Sequence, residues 1–111
     1  TELRAGPLRM DRPGQTVRIE DQAVRLPAKE FALLEYLLLR KGEVVSRIDL
    51  SEHVWDASFD SMSNLVDVTV YRLRKRLEKA GGGDLIHTIK GAGYQLREPE
   101  DAPPETARTS P

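Results

Sequence analysis

The chain has 111 residues, of which 39% are hydrophobic and 32% charged, with a formal net charge of −1 and no cysteine. That is enough for one small domain around a single core, and it excludes disulfides, cysteine metal sites and a thiol nucleophile. The longest apolar run, Phe31 to Leu39, is broken by Glu35 and falls well short of the ~20 residues that span a bilayer, and no secretory signal pattern opens the sequence, so a cytoplasmic protein without membrane contact is expected.

Residues 3–27 predict a small antiparallel meander. Leu8-Arg9-Met10, Val17-Arg18-Ile19 and Ala23-Val24-Arg25-Leu26 alternate apolar and polar side chains, with turn material at Pro13-Gly14 and Glu20-Asp21-Gln22. Residues 28–41 predict a helix whose buried stripe is Phe31, Leu34, Leu37 and Leu38. Pro27 precedes it, and Arg40-Lys41 ahead of Gly42 suit the negative end of the helix dipole. Ser46-Arg47-Ile48-Asp49 has the form of a capping box, with Asp in place of the more usual Glu. It opens a second helix to about Trp55, with Ile48, Leu50, Val54 and Trp55 available to the core. A polar loop from Asp56 to Ser63 carries Phe59 and Met62. Asn64 then caps a third helix, and Asp67 lies in its first turn, where a carboxylate favours the helix start.

On the third helix, Val66, Val70, Leu73 and Leu77 recur at i, i+4, i+7 and i+11 and form one apolar stripe. Leu65, Thr69, Arg72 and Arg76 recur at the same spacing and form a polar, basic face. Two readings are open on these residues alone: a groove reader for nucleic acid, or an ordinary surface helix with a solvated cationic face. Gly81-Gly82-Gly83 stops the helix. Leu85 to Lys90 predicts a strand, Gly91-Ala92-Gly93 a tight turn and Tyr94 to Arg97 the returning strand. Residues 98–111, acidic and rich in Pro, Thr and Ser, predict a disordered tail on a domain of residues 1–97.

A net charge of −1 argues against nucleic acid, but the charge is unevenly spread. Met62 to Arg97 carries seven Lys/Arg against three acids, whereas residues 98–111 carry four acids and one arginine. The basic charge is local, and the acidic end hides it in the total.

Strands, three helices and a hairpin, in that order, outline an α+β fold: a winged helix-turn-helix with an N-terminal antiparallel β-sheet, three helices and a C-terminal β-hairpin wing. The segments filling this outline resemble the C-terminal effector domain of OmpR/PhoB-type two-component response regulators, over roughly residues 3–97. The resemblance runs through Leu26-Pro27-Ala28-Lys29-Glu30-Phe31-Ala32-Leu33-Leu34, Val45-Ser46-Arg47, Val54-Trp55, Val66-Asp67-Val68, Arg72-Leu73-Arg74-Lys75 and Ile86-His87-Thr88-Ile89-Lys90-Gly91-Ala92-Gly93-Tyr94. The loop from Trp55 to Asn64 and the run Leu85-Ile86-His87-Thr88 look like the copper- and heavy-metal-responsive branch.

The resemblance implies sequence-specific binding of double-stranded DNA and transcription regulation, with recognition helix 64–79 in the major groove and wing 86–97 at the minor groove. Arg72 is then the first choice for a base contact, because a guanidinium binds guanine in bidentate fashion. Arg76 shares its face, and Leu65 and Thr69 suit thymine methyl groups. Tyr71, Lys75 and Thr88 suit phosphate. Arg74 has two roles open to it, a phosphate contact or a bridge to Asp67. Trp55 either donates its indole N–H to a phosphate or sits in the core, and Arg47 is a structural or phosphate-facing arginine rather than a base reader. Lys90 stands where the family often has arginine reaching into the minor groove; lysine keeps the charge and loses the planar fork.

The resemblance further implies a head-to-tail homodimer on direct-repeat half-sites. It implies a polymerase-contact loop with Phe59, Asp60 and Met62 facing RNA polymerase. It also implies a receiver domain and a sensor kinase in the full-length protein. No acidic pocket with a phosphoacceptor aspartate occurs in the expected setting, so the sequence reads as an excised output domain or an unusual stand-alone one, the first being favoured because such effector domains fold independently in the family. No cofactor is expected. The only histidines, His53 and His87, are far apart and have no cysteine help, so no metal site is expected. No enzyme is expected either: the sequence has no phosphate-binding Gly-rich loop ending in Lys-Ser/Thr and no triad pattern.

Overall fold

The computed structural model describes residues 2–55 and 64–99. Four strands come first: β1 (Glu2–Ala5), β2 (Leu8–Asp11), β3 (Thr16–Ile19) and β4 (Gln22–Val24), paired antiparallel in the order β1-β2-β3-β4. Helix α1 (Ala28–Leu39), the two-residue strand β5 (Val44–Val45), α2 (Arg47–Val54) and α3 (Leu65–Lys79) follow, and the hairpin of β6 (Ile86–Ile89) and β7 (Gly93–Leu96) ends the fold. The expected order of strands, three helices and hairpin is the observed one. The expected meander has one more strand, β1, and its last strand stops at Val24 rather than Leu26.

Alternation decides which way the first sheet faces. Leu3, Met10 and Val17 pair in register, as do Ala5, Leu8 and Ile19, and these residues point inward. Arg4, Arg9 and Arg18 pair across the same strands and stand on the exposed face. The inner face packs against α1, whose Leu33, Leu34, Leu37 and Leu38 are buried. Phe31, expected in that stripe, is only half-buried at its margin. The helix stops at Leu39, so Arg40 and Lys41 lie beyond its last turn and make tertiary contacts instead. Lys41 Nζ donates to the Arg4 carbonyl and to the Glu98 carboxylate.

Helix α2 opens as its sequence predicts: Ser46 Oγ accepts from the Asp49 amide at 3.0 Å. The Asp49 carboxylate does not reach back to Ser46 to complete the box. It crosses to Tyr36 of α1 and to Arg40 just past that helix, where Tyr36 Oη (2.9 Å) and Arg40 Nη1 (2.7 Å) donate to it. Burial opposes ionisation of this carboxyl, but the hydrogen bonds from Tyr36 and Arg40 outweigh it and hold its pKa below the usual value. His53 stacks on the Tyr36 ring with centroids 4.3 Å apart. This polar cluster ties α1 to α2 at their solvent edge, while Leu50 and Val54 do so in the core. Ile48, expected in the core, is 58% exposed, because the first turn of α2 faces the wing instead of the helices.

Helix α3 buries Val66, Val70, Leu73 and Leu77, the stripe its spacing predicts. Asn64 does not cap it with its side chain; only its backbone carbonyl takes part, accepting from Val68 N. The far end is a Schellman stop. Gly81 takes φ +92°, its N–H bonds the Glu78 carbonyl, and Gly82 N–H bonds the Leu77 carbonyl at 2.8 Å. A left-handed residue is required there, which is why a glycine follows Ala80.

The second sheet has the order β5-β7-β6, so the last strand among the described residues is its central one. Two residues between α1 and α2 therefore anchor the wing to the helical body. Gly93 makes this possible, since a Cβ on it would overlap the Val45 carbonyl oxygen. No described helix is long and apolar enough to cross a membrane.

Candidate nucleic-acid interface

Helix α3 buries one stripe, so its opposite side is available to a partner. That side is a second run at the same spacing, displaced by two residues: Val68, Arg72, Lys75 and Lys79. Arg72, Lys75 and Lys79 are exposed, and Val68 is half-buried. Tyr71 is 57% exposed beside them, with Lys75 Nζ 5.4 Å from its ring centroid. Among the described residues Arg72 and Lys79 have no ion-pair or hydrogen-bond partner. Lys75 has only a loose contact with Glu78 at 3.9 Å. Tyr71, Arg72, Lys75, Arg76 and Lys79 line one groove.

The face expected from Leu65, Thr69, Arg72 and Arg76 does not hold together. Thr69 is buried, and its hydroxyl donates to the Leu65 carbonyl at 2.8 Å. Arg76 Nε donates to Glu30 Oε1 at 2.8 Å, and Glu30 is only 4% exposed. That arginine joins α3 to α1 and neutralises a carboxylate sunk in the core. Leu65 stays at the surface, 38% exposed. Lys79 is the cation that sequence reasoning passed over. The signal for it was present, since the solvent side of a helix lies opposite its buried stripe, and two residues on from Val66, Val70, Leu73 and Leu77 stand Val68, Arg72, Lys75 and Lys79.

Arg74 does not bridge to Asp67. Its Nη1 donates to the Ile86 carbonyl at 3.2 Å and to Thr88 Oγ1 at 2.9 Å, and its guanidinium lies 5.9 Å from the Tyr94 ring centroid. Asp67 is taken by other donors, Arg47 Nε at 3.1 Å and Tyr94 Oη. Burial, then the hydrogen bond to Asp67, pushes the Tyr94 phenol up to about 12. Tyr94 thus sits between an acid from the first turn of α3 and an arginine two turns on. These contacts set the wing's position against α3.

Lys90 stands exposed on the wing beside the Gly91-Ala92-Gly93 turn. Between the wing tip and the start of α2 runs an open cleft of about 570 Å³, lined by Arg47, Ile48, Asp67, Ile89, Lys90 and Tyr94 among others. Its volume is that of a small-molecule site (~300–1,000 Å³), but such sites converge several polar groups on an enclosed ligand. Here Arg47 and Lys90 stand beside exposed apolar walls, an arrangement suited to a sugar-phosphate strand. Thr88 is exposed, with its hydroxyl accepting from Arg74. Trp55, at the end of α2, is half-buried against the core, with Lys29 Nζ 5.9 Å from its ring centroid. Phe59, Asp60 and Met62 lie outside the described residues. His53 and His87 are on different elements, and His87 approaches Asp84 at 3.9 Å.

Known proteins share this fold. Residues 21–96 match the family described as transcriptional regulatory protein, C terminal. The chain is 44% identical over 96 residues to the transcriptional regulatory protein TcrA of Mycobacterium tuberculosis, a match covering 86% of this chain and 38% of that protein. It is 41% identical over 96 residues to the transcriptional activator protein IrlR of Burkholderia pseudomallei, covering 86% of this chain and 42% of that one. The chain therefore spans well under half the length of these curated relatives. Among solved structures, it is similar to the DNA-binding domain of Klebsiella pneumoniae RstA in complex with the RstA box. The TM-score is 0.78 at 28% identity, over 87% of this chain and 97% of that one.

Proposed function

This chain belongs to the C-terminal effector domains of OmpR/PhoB-type transcriptional regulators, and from that premise we propose that it binds double-stranded DNA sequence-specifically to regulate transcription. In this reading it is the output domain of a cytoplasmic two-component response regulator, with residues 1–97 as its DNA-binding domain. The observation that carries the reading is the exposed stripe of Arg72, Lys75 and Lys79 on a helix anchored by four buried apolar side chains. Lys90 on the wing adds a second point of contact.

Helix α3 enters the major groove, where Arg72 reads a guanine edge and Leu65 meets a thymine methyl group. Tyr71 and Lys75 hold phosphates on either side. Trp55 adds a phosphate contact through its indole N–H, and Lys90 reaches the minor groove. Arg74 and Thr88 act through the wing they fix, Arg76 through Glu30, and Thr69 is too buried to read a base. A single domain covers little DNA, and the family resemblance implies two copies bound head to tail on direct repeats. Phe59, Asp60 and Met62 contact RNA polymerase, and a receiver domain answering to a sensor kinase occupies the remainder of the longer protein.

Fluorescence anisotropy on a duplex selected from a random pool tests this reading. Arg72→Ala is expected to cost about 1–3 kcal/mol and to relax preference at one base pair. Lys90→Ala is expected to weaken binding and reduce the preference for a narrow minor groove. Unchanged affinity and sequence preference in both variants would overturn the assignment.

A further inference from the structure

The groove along α3 does not end with the helix. A second groove continues from it, sharing Arg76 and Lys79 and lined further by Gln22, Ala23, Val24, Arg25 and Ala80. The cationic surface therefore passes from the recognition helix onto β4, the edge strand of the N-terminal sheet. At the junction, Arg76 is engaged by Glu30. Arg25 and Lys79 are exposed and, among the described residues, have no ion-pair or hydrogen-bond partner. The nearby acids are placed elsewhere. Glu78 faces Lys75, and Glu20 and Asp21 line a separate groove with Gly6, Pro7 and Arg9.

We propose that Arg25 and Lys79 bind the DNA backbone beyond the bases read by α3, extending the phosphate track from the helix onto the sheet edge. The proposal rests on the DNA-binding reading above. An acidic protein surface would also satisfy two cations, but these two adjoin the Arg72–Lys75 groove and share its lining. That continuity favours one polyanion lying along both. Arg25 stands just past a strand, off the helix that enters the groove, so it touches phosphate and not base edges. Its contribution is to affinity and orientation, not to sequence choice.

The test measures how the association constant of the whole chain depends on salt, using a selected duplex and a scrambled one. Deleting one cation that neutralises a phosphate reduces the slope of log K against log salt by about 0.9. Arg25→Ala and Lys79→Ala should each show that reduction. They should weaken both duplexes by the same factor, and Arg25→Lys should restore the slope. Thermal melting checks that each variant is folded; the two positions lie on different segments, so either alone keeps the test open. A wild-type slope in Arg25→Ala overturns the proposal, as does a change in the ratio between the two duplexes. Wild-type binding with a silent Arg25→Ala removes only this extension, whereas a wild-type chain that binds no duplex removes the DNA-binding reading as well.

Discussion

Tyr94 donates its hydroxyl to Asp67, joining the last strand of the fold to the first turn of α3. Tyr94→Phe keeps the buried ring and deletes only that bond. Arg47 still donates to Asp67, so the expected loss is about 1 kcal/mol in urea denaturation. The pH dependence should change too. The folded state holds the phenolic proton up to about pH 12 against an ordinary value of 10.0. The folded form therefore binds that proton more tightly, and its stabilisation is complete below pH 10 and declines as pH rises toward 12. Tyr94→Phe should flatten that alkaline decline. It should not abolish it, because burial and the Asp49 hydrogen bond raise Tyr36 as well.

Arg72 and Arg74 are two residues apart and should behave as opposites. Arg74 is bonded to the wing, so Arg74→Ala should lower stability by about 1–2 kcal/mol and weaken DNA binding through a displaced wing. Arg72 makes no such bond, so Arg72→Ala should leave the melting transition within about 0.5 kcal/mol of wild type. Equal melting behaviour of the two variants would contradict this division.

Arg76 and Glu30 form the pair that stability should feel most on the polar side. Arg76→Ala leaves the Glu30 carboxylate buried without its donor. Breaking a fully buried pair costs about 3–5 kcal/mol. The Arg76 side chain is 45% exposed, so the expected cost is below that range, about 2 kcal/mol. Glu30→Gln, which removes the charge and keeps the shape, should cost less. Chemical denaturation of the two variants gives the order directly.

Gly93→Ala should be the most damaging change of one carbon. The new methyl group would overlap the Val45 carbonyl oxygen, and the backbone there has φ +146°. Overpacking alone costs about 1–3 kcal/mol. The wing must lift from β5 to relieve it, so DNA affinity should fall with stability. An alanine variant with wild-type melting would show that strand β5 yields easily.

The parts of this fold that depend on local pattern were readable. The apolar stripe of α3, the Ser46 cap and the glycine stop each lie within a few residues of chain. The parts settled by distant pairing were not. Strand β1 shows little local signal and exists because Leu3 and Ala5 pair with Met10 and Leu8. Strand β5 is two residues long and has meaning only beside β7. Arg76 looked like a base reader because its partner, Glu30, is 46 residues away. Arg74 lies two turns after Asp67, which suggested a bridge along the helix, but the wing offered it a carbonyl and a hydroxyl that helix geometry could not reveal.

The central place of β7 has a consequence for how the chain acquires its structure. Val44 and Val45 wait for Gln95 and Tyr94, Gly42 N–H bonds the Leu96 carbonyl, and the Gln95 side chain returns to the Gly42 carbonyl. The scaffold between the first two helices is therefore incomplete until about residue 96 has been made. Contacts of such long sequence separation form late and slow folding. A nascent chain gains the stable domain only once about residue 96 has emerged, and a truncation inside the hairpin should yield an unfolded chain rather than a wingless three-helix domain.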